Sequence, residues 1–361
     1  MTYAARVDRA RTRMQDLGID VLLLSVGPDL PYLPGYDAMP LARLTMLVLP
    51  SAGDAQLVVP RLEAPRVEPQ PELFEIVPWE ETDDPVALVV GLVGGARVAA
   101  IGDHTWARFV LDLQRALPAI AFRRASDVMA PLRMVKDAAE ITALRRAACA
   151  VDSIAGEMRA RPFAGRTELD VHRELVERML ERGHQRANFA IVAAAANAAS
   201  PHHEPGARVI EPGDLVLCDF GGTMDGYCSD ITRMFSVGEP SPEVRDAYLV
   251  LQEAQQAGVD AARVGASCSA VDAAARAVLD AAGYGAHFVH RTGHGIGTEA
   301  HEDPYMVAGN SLPIEAGHAF SVEPGIYVDG RFGMRLEDIV VATTVGPERL
   351  NEAARDLAVV D

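Results

Sequence analysis

Apolar residues recur at helical spacing through YAARVDRARTRMQDL (3–17) and stop at Gly18, which predicts a helix closed by a glycine. Short apolar runs follow. IDVLLLS (19–25), LTMLVLP (44–50), AQLVVP (55–60) and RVAAIG (97–102) read as strands, the middle two joined by the turn SAGD. ARFVLDLQRAL (107–117) reads as a helix. This alternation predicts a compact α/β domain over residues 1–132.

The pattern changes near Arg133. Asp137 opens a long amphipathic helix, DAAEITALRRAACAVDSIAGEMRA, with Glu140 three residues on as the second half of a capping box. TELDVHRELVERMLERG (167–183) is a second helix. Strand patterns follow in NFAIVAAA, DLVLCDFGG and GYCSDITRMFSV. Two more helices, around 242–263 and 267–283, precede the strands AFSVEPGIYV and GMRLEDIVVAT. No sequence repeat stands out, yet helix-helix-strands occurs twice. Residues 133–361 are therefore expected to form two similar halves closing on a shared centre.

A chain of 361 residues suits two domains. Its net charge of −18 disfavours nucleic acid and anionic membrane surfaces as partners. The four cysteines, Cys149, Cys218, Cys228 and Cys268, form no C-x-x-C pair and read as reduced thiols. The N-terminal stretch lacks a signal-peptide core, and apolar runs such as Val86–Val90 and Ile191–Ala196 are too short to span a bilayer. A cytoplasmic protein is the expectation.

The candidate chemistry lies in the second half. DFGGTMDGYCSD carries Asp219 and Asp230 around an Asp225-Gly226 turn. A loop over Thr223–Gly226 puts these two carboxylates directly opposite each other on one face. EPGIYVDGRFGMRLE carries Glu323 and Glu337, which oppose each other if Gly330 centres the turn. A one-residue slip would send the partners to opposite faces. His294 lies in TGHGIGTEAHEDP, where flanking glycines let the backbone pass close to something. Four carboxylates in one pocket repel strongly unless cations neutralise them, and two divalent ions would do so. One imidazole with oxygen donors suits Mn²⁺ or Co²⁺, ahead of Zn²⁺ or Fe²⁺. Such a pair lowers the pKa of a shared water toward neutrality and supplies a hydroxide for carbonyl hydrolysis. A proton acceptor and an oxyanion donor are then needed. His202, His203, His290 and His301 are the spare histidines, though each alone reads equally as a capping histidine. No nucleophile elbow, phosphate loop or supported dinucleotide fingerprint is present.

DFGG…GYCSDITR, HRTGHGIGTEAHEDP, FSVEPGIY and GMRLEDIVV resemble the pita-bread metallopeptidases, in particular the branch containing Xaa-Pro dipeptidase (prolidase) and Xaa-Pro aminopeptidase (aminopeptidase P). The motifs cover residues 134–361, and residues 1–130 are similar more loosely to the family's N-terminal domain through LLLSVGPDLPYLPGY and RLTMLVLP. The resemblance implies an α+β fold: a pita-bread (creatinase/aminopeptidase-like) catalytic domain of pseudo-two-fold halves, preceded by a smaller α/β domain. It makes Asp219, Asp230, His294, Glu323 and Glu337 the ligands of two ions, with Asp230 and Glu337 bridging and Glu323 also shuttling protons. It implies a substrate-side role for His202, stabilisation of the scissile carbonyl by His301, an outer carboxylate-holding role for Arg335, and a place near the site for His290. Methionine aminopeptidases differ in the closing motif, and creatinase-like relatives lose ligands that are all present here. The expected activity is hydrolysis of Xaa-Pro bonds by a metal-bridging hydroxide, as a dipeptidase if the N-terminal domain closes the site against longer peptides. The alternatives are an aminopeptidase acting on longer X-Pro peptides and a non-catalytic scaffold. Small peptides with Pro at the second position are the expected partners, and a homodimer is the family expectation.

Overall fold

The computed structural model describes residues 2–361, in two compact units, Met1–Arg133 and Met134–Asp361. The first unit runs α1 (Tyr3–Leu17), β1 (Val21–Leu24), α2 (Asp29–Tyr32), β2 (Met46–Pro50), β3 (Ala55–Pro60), β4 (Phe74–Trp79), α3 (Pro85–Val93), β5 (Val98–Ile101), α4 (Ala107–Ala116), β6 (Ala121–Arg124) and α5 (Ser126–Met134). The six strands form one mixed sheet in the order β4-β3-β2-β1-β5-β6. Strand alternation feeds a core on each face. Leu22 and Leu24 pack with Val7 and Met14 of α1 and Met129 of α5. Val21 and Leu23 pack with Val89 of α3 and Phe109 and Leu113 of α4. Gly18 ends α1 at φ 65°, where only glycine is unstrained.

Five of these elements were not legible beforehand: α2, β4, α3, β6 and α5. Helix α3, PVALVVGLV, is apolar nearly all round and offers no helical stripe to read, although only Val89 and Val93 are buried. Strand β6 is largely exposed, so it has no apolar alternation either.

The second unit contains α6 (Ala138–Met158), α7 (Glu168–Glu181), β7 (Arg186–Ala194), β8 (Leu215–Met224), β9 (Tyr227–Cys228) and β10 (Ile231–Val237). It continues through α8 (Pro242–Ala261), α9 (Cys268–Ala281), β11 (Gly293–Gly295), β12 (Glu302–Met306), β13 (Ala319–Val322), β14 (Gly325–Val328), β15 (Phe332–Arg335), β16 (Asp338–Thr343), β17 (Gly346–Arg349) and β18 (Ala358–Val360). One sheet has the order β18-β10-β8-β7 with β9 on β8, a second has β12-β11-β13-β16-β17, and β14-β15 is a separate hairpin. The Asp137–Glu140 capping box forms as expected.

The repeated order of elements is real at the backbone. Thr167 caps α7 and Ser267, one hundred residues on, caps α9. Each cap residue forms an antiparallel bridge, Thr167 with Val209 and Ser267 with Pro313. Gly165 N donates to Ile210 O as Gly265 N donates to Ile314 O, both at 2.9 Å, and Glu168 N donates to Arg208 O as Cys268 N donates to Leu312 O. Few side chains coincide, so no sequence repeat was visible.

Two expectations about the strands are corrected. The first hairpin turns on two residues, Asp225 and Gly226, at φ 51° and 78°, rather than over Thr223–Gly226. Asp219 therefore lies opposite Thr232, and Asp230 falls two residues further toward the turn, on the same face. The long strands are also interrupted. The run GYCSDITRMFSV breaks at Ser229-Asp230, AFSVEPGIYV at Glu323-Pro324, and GMRLEDIVVAT at Leu336-Glu337. Pro324 has no N–H for the ladder. Across the last two gaps the register is still the one expected: Val322 pairs with Asp338 and Gly325 with Arg335.

At the gap Glu337 leaves its own hairpin and bridges to Thr232 of the other sheet. Arg233 clamps this crossing from behind. Its guanidinium donates to Thr232 O (2.9 Å), Glu337 O (2.6 Å), Ala353 O and Ala354 O, and pairs with buried Asp338 at 2.7 Å. Replacing Arg233 strands a buried charge and several carbonyls. Arg233→Met is expected to lower unfolding free energy by about 3–5 kcal/mol in urea titration.

Candidate metal centre

The interruptions are where the functional carboxylates sit. Asp219 is inside β8, Asp230 is in the gap before β10, Glu323 follows β13, and Glu337 precedes β16. His294 is the middle of the three-residue strand β11. The flanking glycines are explained by crowding. A Cβ at Gly293 would lie 1.8 Å from Ser321 O, and one at Gly295 would lie 2.3 Å from Asp303 O.

All five expected ligands converge. Asp219, Asp230 and Glu337 each offer an oxygen within 4.8 Å of the others, and so do the donors of His294, Glu323 and Glu337. Asp230, His294 and His301 form a third such group. The first two sets share Glu337. His294 Nε2 lies 3.2 Å from Glu323 Oε1 and 3.8 Å from Asp230 Oδ2. Its Nδ1 faces Gly295 O at 3.1 Å, and a carbonyl can only accept, so Nδ1 carries a proton and Nε2 is the nitrogen directed at the carboxylates.

Outer contacts hold this cluster. Ser321 Oγ donates to Glu323 Oε1 at 3.0 Å and accepts from His294 N. Thr232 Oγ1 donates to Glu337 Oε2 at 2.7 Å. Arg335 forms a short ion pair with Asp219, lies 4.0 Å from Glu323, and donates to Tyr327 Oη at 2.7 Å. His290 Nδ1 donates to Arg291 O, so its Nε2 accepts from the Tyr327 hydroxyl at 2.8 Å. A directed chain thus runs from Asp219 through Arg335 and Tyr327 to His290. Burial holds the Tyr327 phenol up at about 12, so it remains a donor.

The charges do not balance within the protein. Four carboxylates meet one guanidinium in the cluster, and Asp230 and Glu337 are each 2 % exposed. Burial, then the neighbouring carboxylates, push both well above the usual carboxyl range. Glu323 goes the other way: burial would raise it, but the His294 hydrogen bond and the charges of His294 and Arg335 hold it at about 2. Asp219 Oδ1, Asp230 Oδ1 and Glu337 Oε1 are buried without a hydrogen-bond partner among the described residues. Buried, unpaired carboxylate oxygens converging at metal-ligand separations are the arrangement a divalent cation satisfies. The residues therefore fit divalent metal.

The cluster floors a cleft of about 800 Å³. Ser200, His202, His290, Arg291 and His301 give its lining polar groups, and Phe189, Ile191, Pro201 and Val289 give it apolar ones. His301 stacks on His294 with ring centroids 3.7 Å apart, and its Nδ1 lies 3.5 Å from Arg291 Nη2. Partial burial and the nearby His294, Arg291 and His202 push His301 down to about 4 despite Glu323, so it is neutral near pH 7. Its chain neighbour Glu302 is anchored by a buried ion pair to Lys136 at 2.6 Å.

Sequence reasoning missed Tyr327, Thr232, Ser321, Arg291 and the apolar cleft residues. Tyr327 and Thr232 fall inside the quoted motifs, but only folding shows what they touch. Phe189 and Ile191 alternate along β7 as any core strand would, and nothing local marks them as cleft residues.

Fold and cluster together define a metallopeptidase. Residues 136–344 match Metallopeptidase family M24 and residues 6–135 match the Creatinase/Prolidase N-terminal domain. The chain belongs to Metallopeptidase family M24. It is 44 % identical to the "Probable dipeptidase PepE" of Mycobacterium tuberculosis over 363 residues, covering 99 % of this chain and 96 % of that one. It is 32 % identical to the Xaa-Pro dipeptidase of Lactobacillus helveticus, covering 98 % of each. The crystal structure of a recombinant prolidase from Thermococcus sibiricus superposes with a TM-score of 0.93 at 34 % identity, covering 99 % of both chains. The α+β architecture matches throughout. No helix among the described residues is long and apolar enough to cross a membrane.

The raised carboxyls set a sign for pH dependence. Without bound metal, Asp230 and Glu337 hold protons that the unfolded chain has released above the ordinary carboxyl range, so their contribution to stability falls as pH rises through that window. Metal displaces those protons. The rise in unfolding midpoint on adding Mn²⁺ is expected to be larger at about pH 8 than at about pH 5, with proton release in calorimetry. Asp230→Asn should abolish most of the rise; an unchanged rise would exclude Asp230 as a ligand.

Proposed function

We propose that the chain is a two-metal Xaa-Pro dipeptidase, with Mn²⁺ or Co²⁺ suited to its one imidazole and four carboxylates. The observation that carries this reading is the pair of donor sets sharing Glu337 in a cleft that apolar residues also line. The ions, when bound, supply Lewis acidity toward the carbonyl and a water acidified toward neutral pH.

The protein groups divide the remaining work. Glu323 lines the cleft, accepts a hydrogen bond from Ser321, and takes the role of proton carrier between water and leaving amine. His301, neutral and open to the cleft, donates a hydrogen bond to the oxygen that develops charge. His202 and His290 contact the substrate from the cleft lining. Arg335 orients Asp219 and its charge opposes the upward push that burial gives this carboxyl. Phe189, Ile191 and Val289 offer an apolar surface for the proline ring. An X-Pro bond lacks the N–H that extended-backbone peptidases grip, so ring shape must replace it.

The dipeptide preference is supported by the names of the relatives, a probable dipeptidase at 44 % identity and an Xaa-Pro dipeptidase at 32 %. The metal-loaded protein should cleave Ala-Pro and leave Ala-Pro-Ala nearly intact. Release of alanine only from the tripeptide would instead establish an aminopeptidase, and no cleavage of either with metal bound would favour a scaffold. His301→Ala should keep its metal content and lose about 10²-fold in kcat, read by single-turnover kinetics.

A further inference from the structure

Glu168 is the first residue of α7 and its side chain is fully buried. Its carboxylate accepts four hydrogen bonds, all from the last residue of β7 and the segment that follows it. Oε1 accepts from Ala194 N at 2.8 Å and Asn197 Nδ2 at 2.9 Å. Oε2 accepts from His203 Nε2 at 2.9 Å and Gly206 N at 3.2 Å. Burying a carboxylate is costly, and four donors are what make the ionised form tolerable there.

The internal repeat supplies a control. Cys268 occupies the same place at the start of α9, with equivalent backbone hydrogen bonds, and is an uncharged buried thiol. The helix-to-strand framework of a half therefore stands without a carboxylate at this position. What differs is the side chain at this position and the bonds it makes. In the first half the segment so bonded carries Pro201 and His202 into the cleft.

The segment has other marks of being held against its own preference. Ala195 sits at φ 49°, a strained conformation for a residue with a side chain. Residues 195–199 pack onto β15 so closely that a Cβ on Gly333 would lie 1.7 Å from Ala198 O. Arg335 reaches Pro201 O from the cluster side at 3.4 Å.

We propose that Glu168, with His203, is a positioning clasp that holds the 194–206 segment and so sets where His202 meets the substrate. This rests on the substrate-side role of His202 proposed above. Glu168 touches no substrate; it acts through the loop.

The test has two arms. In Glu168→Gln, amide exchange at Ala194 and Gly206 should accelerate about 10-fold or more while the rest of the unit is unchanged. KM for Ala-Pro should rise about 10-fold, with metal content as in the unsubstituted protein. In a His202→Ala background the same substitution should add less than about 2-fold, because its effect passes through His202. His203→Leu should reproduce the Glu168→Gln behaviour from the loop side, and serves if the Glu168 variant does not fold. His203→Gln, which keeps a donor, should restore it. Unchanged exchange at Ala194 and Gly206, or a KM effect undiminished in the His202→Ala background, would overturn the proposal. If the unsubstituted protein cleaves no Xaa-Pro peptide, the functional reading fails, and the exchange arm still decides the clasp.

Discussion

Four carboxylates share a buried floor with one arginine in contact, and three of their oxygens have no hydrogen-bond partner among the described residues. Left alone, such a cluster destabilises the fold by repulsion and lost hydration. Most of the second unit reads as the framework that makes this crowding possible. Two similar halves each bring a hairpin to the centre, and each hairpin is interrupted where a carboxylate of the cluster turns inward. The gap at Glu337 lets one strand of the second half bridge to Thr232 of the first, so the halves are joined at a ligand.

The outer contacts have a common logic. Arg233 fixes the backbone of the crossing from behind, while Arg335 fixes Asp219 from the cleft side. Ser321 and Thr232 each give a hydroxyl to a carboxylate, and Gly295 O sets the His294 tautomer. Orientation is thus determined before any ion arrives, which lowers the cost of assembling the site. The same chain of contacts extends through Tyr327 to His290 and through Pro201 to the loop of His202. Cluster and cleft walls are therefore mechanically one object.

The repeat explains where the two halves may differ. Their helix caps and backbone bonds are shared, but Glu168 and Cys268 are not alike, and the carboxylate appears only in the half whose loop carries His202. Duplicated frameworks allow this kind of comparison within one chain, because the framework's needs are met twice and the extra feature stands out.

The five cluster residues were legible in sequence because turn signals and glycines locate them, and because four acids with one histidine have few chemical uses. The register of the second hairpin was legible too, since Gly330 centres its turn. The first was not. An Asp-Gly pair is compatible with both a four-residue loop and a two-residue turn, and the two differ by two residues of register. The strand breaks at Asp230, Glu323 and Glu337 were hidden, because a gap forms when a residue finds a partner in another sheet, and that partner lies a hundred or so residues away. Thr232, Tyr327, the apolar cleft residues and the clasp at Glu168 belong to the same class. The sequence by itself determined which residue types meet and the chemistry they could support, since local turn geometry and donor identity are local properties. Which face each ligand turns to, what holds it there and what lines the cleft were decided only by tertiary packing, because those contacts join segments that are far apart in the chain.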